Sequence, residues 1–160
     1  GSGDQYKPQT EMPSLESFLN DYQKPHEYKF LKKNARLYKS ILGLDMSTGE
    51  FNYSNLCFFR TPKGKDLQLN DYHLCLPLIE SYIEYLQPKW ILLLGSTAFD
   101  ILKSLKYPGV DDLELVNIKK ARGYKGHLFG HPFACVPHSN YPISGETRKG
   151  IWNNVAKHLV

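Results

Sequence analysis

One histidine in this chain stands where an imidazole can do chemistry. In the stretch 133–144, FACVPHSNYPIS, the apolar run Phe133, Ala134, Cys135, Val136 reads as a short buried strand. It delivers His138 into a loop that Pro137 and Pro142 restrict. An imidazole held at a strand end can donate a hydrogen bond to charge that develops on a substrate. Ser139 and Asn140 add a hydroxyl and an amide, small polar groups suited to a phosphate or a base edge. Alone, His-Ser-Asn after a strand is ordinary turn chemistry. Two further groups make it a constellation. Asn55 lies in the aromatic run FNYSNLCFF ahead of the loop RTPKGKD, and Gly95, Ser96 and Thr97 follow the aliphatic run KWILLLG.

The elements that must position these groups follow from periodicity. Ser14 can cap a helix over SLESFLNDY, with Leu15, Phe18, Leu19 and Tyr22 on one face. Leu31, Ala35, Tyr38, Ile41 and Leu42 recur at helical spacing up to Gly43, a stop signal. FNYSNLCFF reads as a strand near 51–58. The next helix runs over LNDYHLCLPLIESYIEYLQ, capped by Asn70 or Asp71, and Pro77 should bend it or mark a first-turn boundary. KWILLLG is the clearest strand, its aliphatics calling for cover on both faces, and STAFDILKSL follows as a helix capped by Ser96 or Thr97. Residues 107–131 suggest a short hairpin. ETRKGIWNNVAKHLV closes as an amphipathic helix with Ile151, Trp152, Val155 and Leu159 inward. Strands alternating with helices predict a three-layer α/β/α domain with a mainly parallel sheet. Ligands in such sheets bind beyond the carboxyl ends of the strands, where Asn55, Ser96 and His138 all fall.

Composition bounds the function. With 160 residues the chain is long enough for one domain with a real core, over 14–160, preceded by an extended arm at 4–13. Residues 1–3, GSG, have the look of a cloning remnant. No apolar run reaches the roughly 18 residues of a membrane helix, so no membrane partner is expected. Cys57, Cys75 and Cys135 are odd in number and widely spaced, which argues against a disulfide framework and for a reducing, intracellular compartment. The net charge of +4 is mild, but it is clustered: Lys32, Lys33, Arg36 and Lys39; Arg60, Lys63 and Lys65; Lys119, Lys120, Arg122 and Lys125. Such clusters suit a phosphate backbone, though charge runs are commonly just solvated faces.

In order and spacing these motifs resemble the uracil-DNA glycosylase superfamily, closest to its bacterial family 4. The likeness is carried by YSNLCFFRTPKGKD, by DYHLCLPLIESYIEYLQPKWILLLGSTAFDIL, by IKKARG and by VPHSNYPISGETRKGIWNNVAKHL, over roughly residues 35–160. It implies base excision repair of DNA: a hydrolase that flips uracil out of the strand and breaks its N-glycosidic bond. Asn55 falls on the residue that binds the extruded uracil, its amide donating to O4 and accepting from N3–H. His138 falls on the catalytic histidine that donates to uracil O2 and stabilises the leaving anion. Arg60, Lys63, Gly64, Ser96, Thr97, Ser139 and Asn140 fall on DNA contacts, and neither a metal nor a cofactor is implied.

The departures bear on activity. The family's opening strand with Gly-Glu-Ala-Pro-Gly, which positions the attacking water, has no counterpart, as though left out between about Tyr22 and Phe30. Asp21, Asp45 and Glu50 are the carboxylates nominated in its place, and none has motif support. Ser139 replaces a proline, Pro142 and Ile143 two leucines, and Ser144 an arginine, which weakens any wedge for the flipped-base hole. Of the iron–sulfur ligands only Cys75 is matched; Phe59 stands at its partner site and Cys57 is misplaced, so no cluster is expected. Two readings follow: an active glycosylase, or an inactive glycosylase-fold protein that binds DNA or a protein partner. A small nucleotide-binding α/β domain is weaker, since no Gly-rich phosphate loop follows a strand.

Overall fold

A computed structural model describes residues 32–45, 52, 66–104 and 109–160. The arm, the helix over 14–22 and the strand near 51–58 lie outside the described residues, and with them Asn55, Arg60, Lys63 and Gly64. Helix α1 (Ala35–Leu42) ends at Gly43, whose N–H returns to the Tyr38 carbonyl in the left-handed cap the sequence predicts. Helix α2 (Leu69–Leu86) starts earlier than Asn70 or Asp71. Its cap is Gln68, and Asp71 instead accepts from the Gln68 N–H at 2.8 Å. It runs on through Pro77, which is exposed, so water can satisfy the carbonyl that proline leaves without a donor; no boundary falls there.

Strands β1 (Ile91–Leu94), β2 (Val110–Ile118), β3 (Ala121–Leu128) and β4 (His131–Val136) form one sheet in the order β1-β4-β3-β2. Helix α3 (Ser96–Ser104) links β1 to β2, and α4 (Gly145–Val155) with a final 3-10 turn, Lys157–Leu159, follows β4. Among the described strands only β1 and β4 pair in parallel; β2–β3 and β3–β4 are antiparallel. The expectation of a mainly parallel sheet is therefore corrected. Its cause is the stretch taken for a short hairpin, which is two full strands that continue into β4 as a meander. Turns of two residues suffice for this: Lys119–Lys120, and Phe129–Gly130 with φ of 52° and 78°.

Alternate residues of β4 enter different clusters. Ala134 and Val136 pack with Tyr38 and Leu42 of α1 and Ile151, Trp152 and Val155 of α4. Phe133 and Cys135 pack with Leu76 of α2 and Phe99 and Leu102 of α3. Strand β1 divides in the same way, Leu92 and Leu94 to the first cluster and Ile91 and Leu93 to the second. Both faces of β1 are thus covered, although it is the last strand of the described sheet and only half-buried. Ile151, Trp152, Val155 and Leu159 are all buried, as their spacing predicts.

Gly123 sets how closely α4 approaches. A Cβ there would lie 2.7 Å from Ile151 Cγ2 and 3.1 Å from both the Cys135 carbonyl oxygen and Val155 Cγ1. Gly123→Ala should therefore overpack this seam and lower stability by about 1–3 kcal/mol in urea unfolding. An unchanged midpoint would mean that α4 can retreat without loss.

Candidate functional site

Strand register gathers the candidates at one end of the sheet. Leu94 pairs with Val136, so the carboxyl ends of β1 and β4 lie side by side. Tyr124 pairs with Cys135 and Ile118 with Ala121, which brings the Lys119–Lys120 turn to the same end. The ladder extends one step past β1, where the Gly95 N–H donates to the Val136 carbonyl at 2.7 Å. Gly95 has φ 107°, a conformation open to glycine, and it turns the chain at once into α3. A Cβ on Gly95 would lie 3.6 Å from His138 Cβ, so the junction of β1 and α3 abuts the histidine. Ser96 opens α3 and Thr97 is exposed beside it, neither being a residue outside the helix as a cap requires.

His138 is half-buried, one residue beyond the buried Pro137. Its Nδ1 accepts from the Asn140 backbone N–H at 3.1 Å. An acceptor nitrogen carries no proton, so in the neutral ring the proton sits on Nε2. Burial pulls the imidazole below its ordinary value, and the charges of Arg148 and Lys33 pull it further the same way. At neutral pH the ring is a neutral Nε2–H donor.

The loop around it is fastened twice. Arg148 Nη1 donates to the carbonyls of Pro137 at 3.2 Å and His138 at 3.0 Å, and Nη2 donates to that of Tyr141 at 2.7 Å. Lys33 Nζ, just ahead of α1, donates to Asn140 Oδ1. The Asn140 side chain is thereby engaged within the protein. Ser139 Oγ is buried and has no hydrogen-bond partner among the described residues. Ser144 caps α4, accepting from the Thr147 N–H at 3.2 Å, which orients the first turn so that Arg148 reaches back over the loop.

Sequence reasoning missed Arg148 and gave Lys33 only as part of a basic run. Arg148 binds backbone carbonyls, and no side-chain pattern announces those. The one available signal was an arginine in the first turn of a helix that follows directly on the loop.

The basic hairpin is less free than a run of cations suggests. Lys119 meets Glu146 at 3.9 Å, Arg122 meets Asp100 at 3.5 Å and Lys125 meets Glu114 at 3.2 Å. Such exposed pairs are each worth about 0–1 kcal/mol, so a polyanion can displace them. Of the carboxylates nominated near the site, Asp45 pairs with Lys39 at 3.7 Å, and Asp21 and Glu50 lie outside the described residues. Cys75 and Cys135 are buried, and burial, with Asp100 adding to it, pushes the Cys135 thiol up to about 12. Among the described residues, no group of three or more His, Cys, Asp or Glu is arranged to hold a metal ion, and no helix is long and apolar enough to cross a membrane. No family model matches the chain, and no curated protein matches it.

Proposed function

We propose that this protein is a uracil-DNA glycosylase-like protein that binds DNA, flips out uracil and acts on its N-glycosidic bond. The observation that carries the reading is the state of His138. A neutral imidazole, with Nδ1 accepting from the Asn140 N–H, carries its proton on Nε2 at the shared carboxyl end of β1 and β4. A donor fixed before the reaction stabilises a developing oxyanion without reorganisation, which is what a departing uracil O2 requires. In this reading Asn55 selects the base, and Ser96 and Thr97 at the start of α3 receive backbone phosphates. Arg60, Lys63 and Gly64 are DNA contacts in the same reading. A three-layer α/β/α arrangement belongs to the same reading, supported by the division of β1 and β4 side chains between two helix-lined clusters. A reducing compartment suits its buried cysteines, Cys75 and Cys135.

One observation favours a second reading. The sequence carries no Gly-Glu-Ala-Pro-Gly segment to position a water, and Asp45 is paired with Lys39. A relative that binds DNA or a protein partner without cutting the bond would need neither.

The test is alkaline cleavage of single- and double-stranded oligonucleotides containing uracil, with the Asn55→Asp variant run beside the parent. The parent should leave abasic sites at uracil. Asn55→Asp should lose that activity and gain some at cytosine, because a carboxylate accepts from the cytosine amino group but cannot donate to O4. Binding without abasic sites in the parent would establish the second reading.

A further inference from the structure

We propose that Arg148 is the positioning residue of the His138 loop, its guanidinium holding residues 137–141 in the conformation that fixes the imidazole tautomer. Three carbonyl oxygens, those of Pro137, His138 and Tyr141, converge on this one side chain. Carbonyl dipoles turned toward a common point repel one another, and a planar cation with forked donors offsets that repulsion. A lysine would bring the charge but not the fork, since its donors radiate from a single atom.

The clamp and the turn share an acceptor. His138 O takes both Arg148 Nη1 and the Tyr141 N–H, the latter at 2.9 Å. Fixing that oxygen fixes the peptide units between, and one of them supplies the Asn140 N–H that meets Nδ1. Lys33 closes the loop from the α1 side through Asn140 Oδ1. Among the described residues the charged groups acting on the ring are Arg148 from α4 and Lys33 from ahead of α1. The β1–α3 junction presents uncharged Gly95. Arg148 thus acts on the imidazole twice, through the loop's shape and through its own charge.

The experiment is an NMR titration of the imidazoles in the full chain, with His138 assigned by its disappearance in His138→Gln. Amide exchange at Asn140 and Tyr141 is followed alongside, in the parent, Arg148→Gln and Arg148→Lys. In Arg148→Gln the His138 midpoint should rise toward the ordinary histidine value. The two amides should exchange roughly tenfold to a hundredfold faster, the equivalent of losing one charge-assisted hydrogen bond. In Arg148→Lys the midpoint should stay low while exchange still quickens, because the charge remains and the fork is gone. An unchanged midpoint with unchanged exchange in Arg148→Gln would overturn the proposal. So would faster exchange spread evenly over the β2–β3 hairpin and α4, which would make Arg148 a support of the whole fold. None of these readouts needs catalysis. A parent that leaves no abasic sites would refute the glycosylase reading while the titration still decides the clamp.

Discussion

On the proposed glycosylase reading, His138→Ala is expected to slow release of uracil by roughly a hundred- to a thousandfold, the usual loss when one fixed oxyanion donor is removed. In barrier terms that is about 3–4 kcal/mol, more than ground-state binding of one neutral hydrogen bond can account for, at about 0.5–1.5 kcal/mol. The loss should therefore fall on the single-turnover rate rather than on DNA affinity. Folding should survive, because the ring is half-buried at a loop edge and the loop's carbonyls remain tied to Arg148. Removing an imidazole whose folded value is depressed also has a signed effect on stability. The contribution of the neutral ring is fully present above the ordinary histidine value and is lost as pH falls through the depressed one. The variant should thus lose less stability than its parent on acidification through that window. Equal single-turnover rates for parent and variant would remove His138 from the chemistry.

The second large effect is on the fold. Trp152→Ala should cost about 3–5 kcal/mol, a substantial part of a total stability of roughly 5–15 kcal/mol. Trp152 is fully buried and meets Tyr38 edge to face, with ring centroids 5.2 Å apart. It therefore joins α1 to α4 directly. Its Nε1–H is buried with no acceptor among the described residues, so there the indole brings volume together with an unsatisfied donor. Trp152→Phe removes that donor and keeps an aromatic ring, and should cost much less than alanine. Urea unfolding monitored by circular dichroism reads both, with Trp90 left as the sole indole for a fluorescence check. A phenylalanine variant as unstable as the alanine one would show that the indole's shape, not burial alone, holds the seam. Because Arg148 lies one turn before Trp152 on α4, loosening this anchor should also loosen the loop around His138.

How much was legible follows from what each signal depends on. The cap of α1 and the buried face of α4 were readable because Gly43 and the spacing of Ile151, Trp152, Val155 and Leu159 carry their own local physics. Strand β4 was readable as an apolar run. The β2–β3 hairpin was readable only as a short one within 107–131, not as two full strands of the sheet. In β2, Asp111, Asp112 and Glu114 interrupt the alternation, and Leu113 and Leu115 are exposed. In β3 two buried positions are glycines, Gly123 and Gly126, placed where α4 and the Asp111–Asp112 backbone come close, so burial left no hydrophobic trace. Reading that hairpin as short, and not as strands continuing into β4, made the sheet look parallel. For the site, His138 and the β1–α3 junction were visible as strand ends. The Arg148 clamp was not, because its partners are main-chain oxygens.

The sheet order also fixes a sequence of events in time. Strands β2, β3 and β4 are neighbours along the chain and close through two-residue turns, so their contacts are local and form quickly. The β1–β4 pairing is different: Ile91 meets Phe133 only after α3 and the entire hairpin have been looped out between them. Closing that loop loses chain entropy before any contact repays it, so this seam joins after the meander exists. The end of that late seam is where His138 sits. Local closure is thus expected to build the scaffold before the site, so that a partly folded molecule carries the hairpin before His138 is in place.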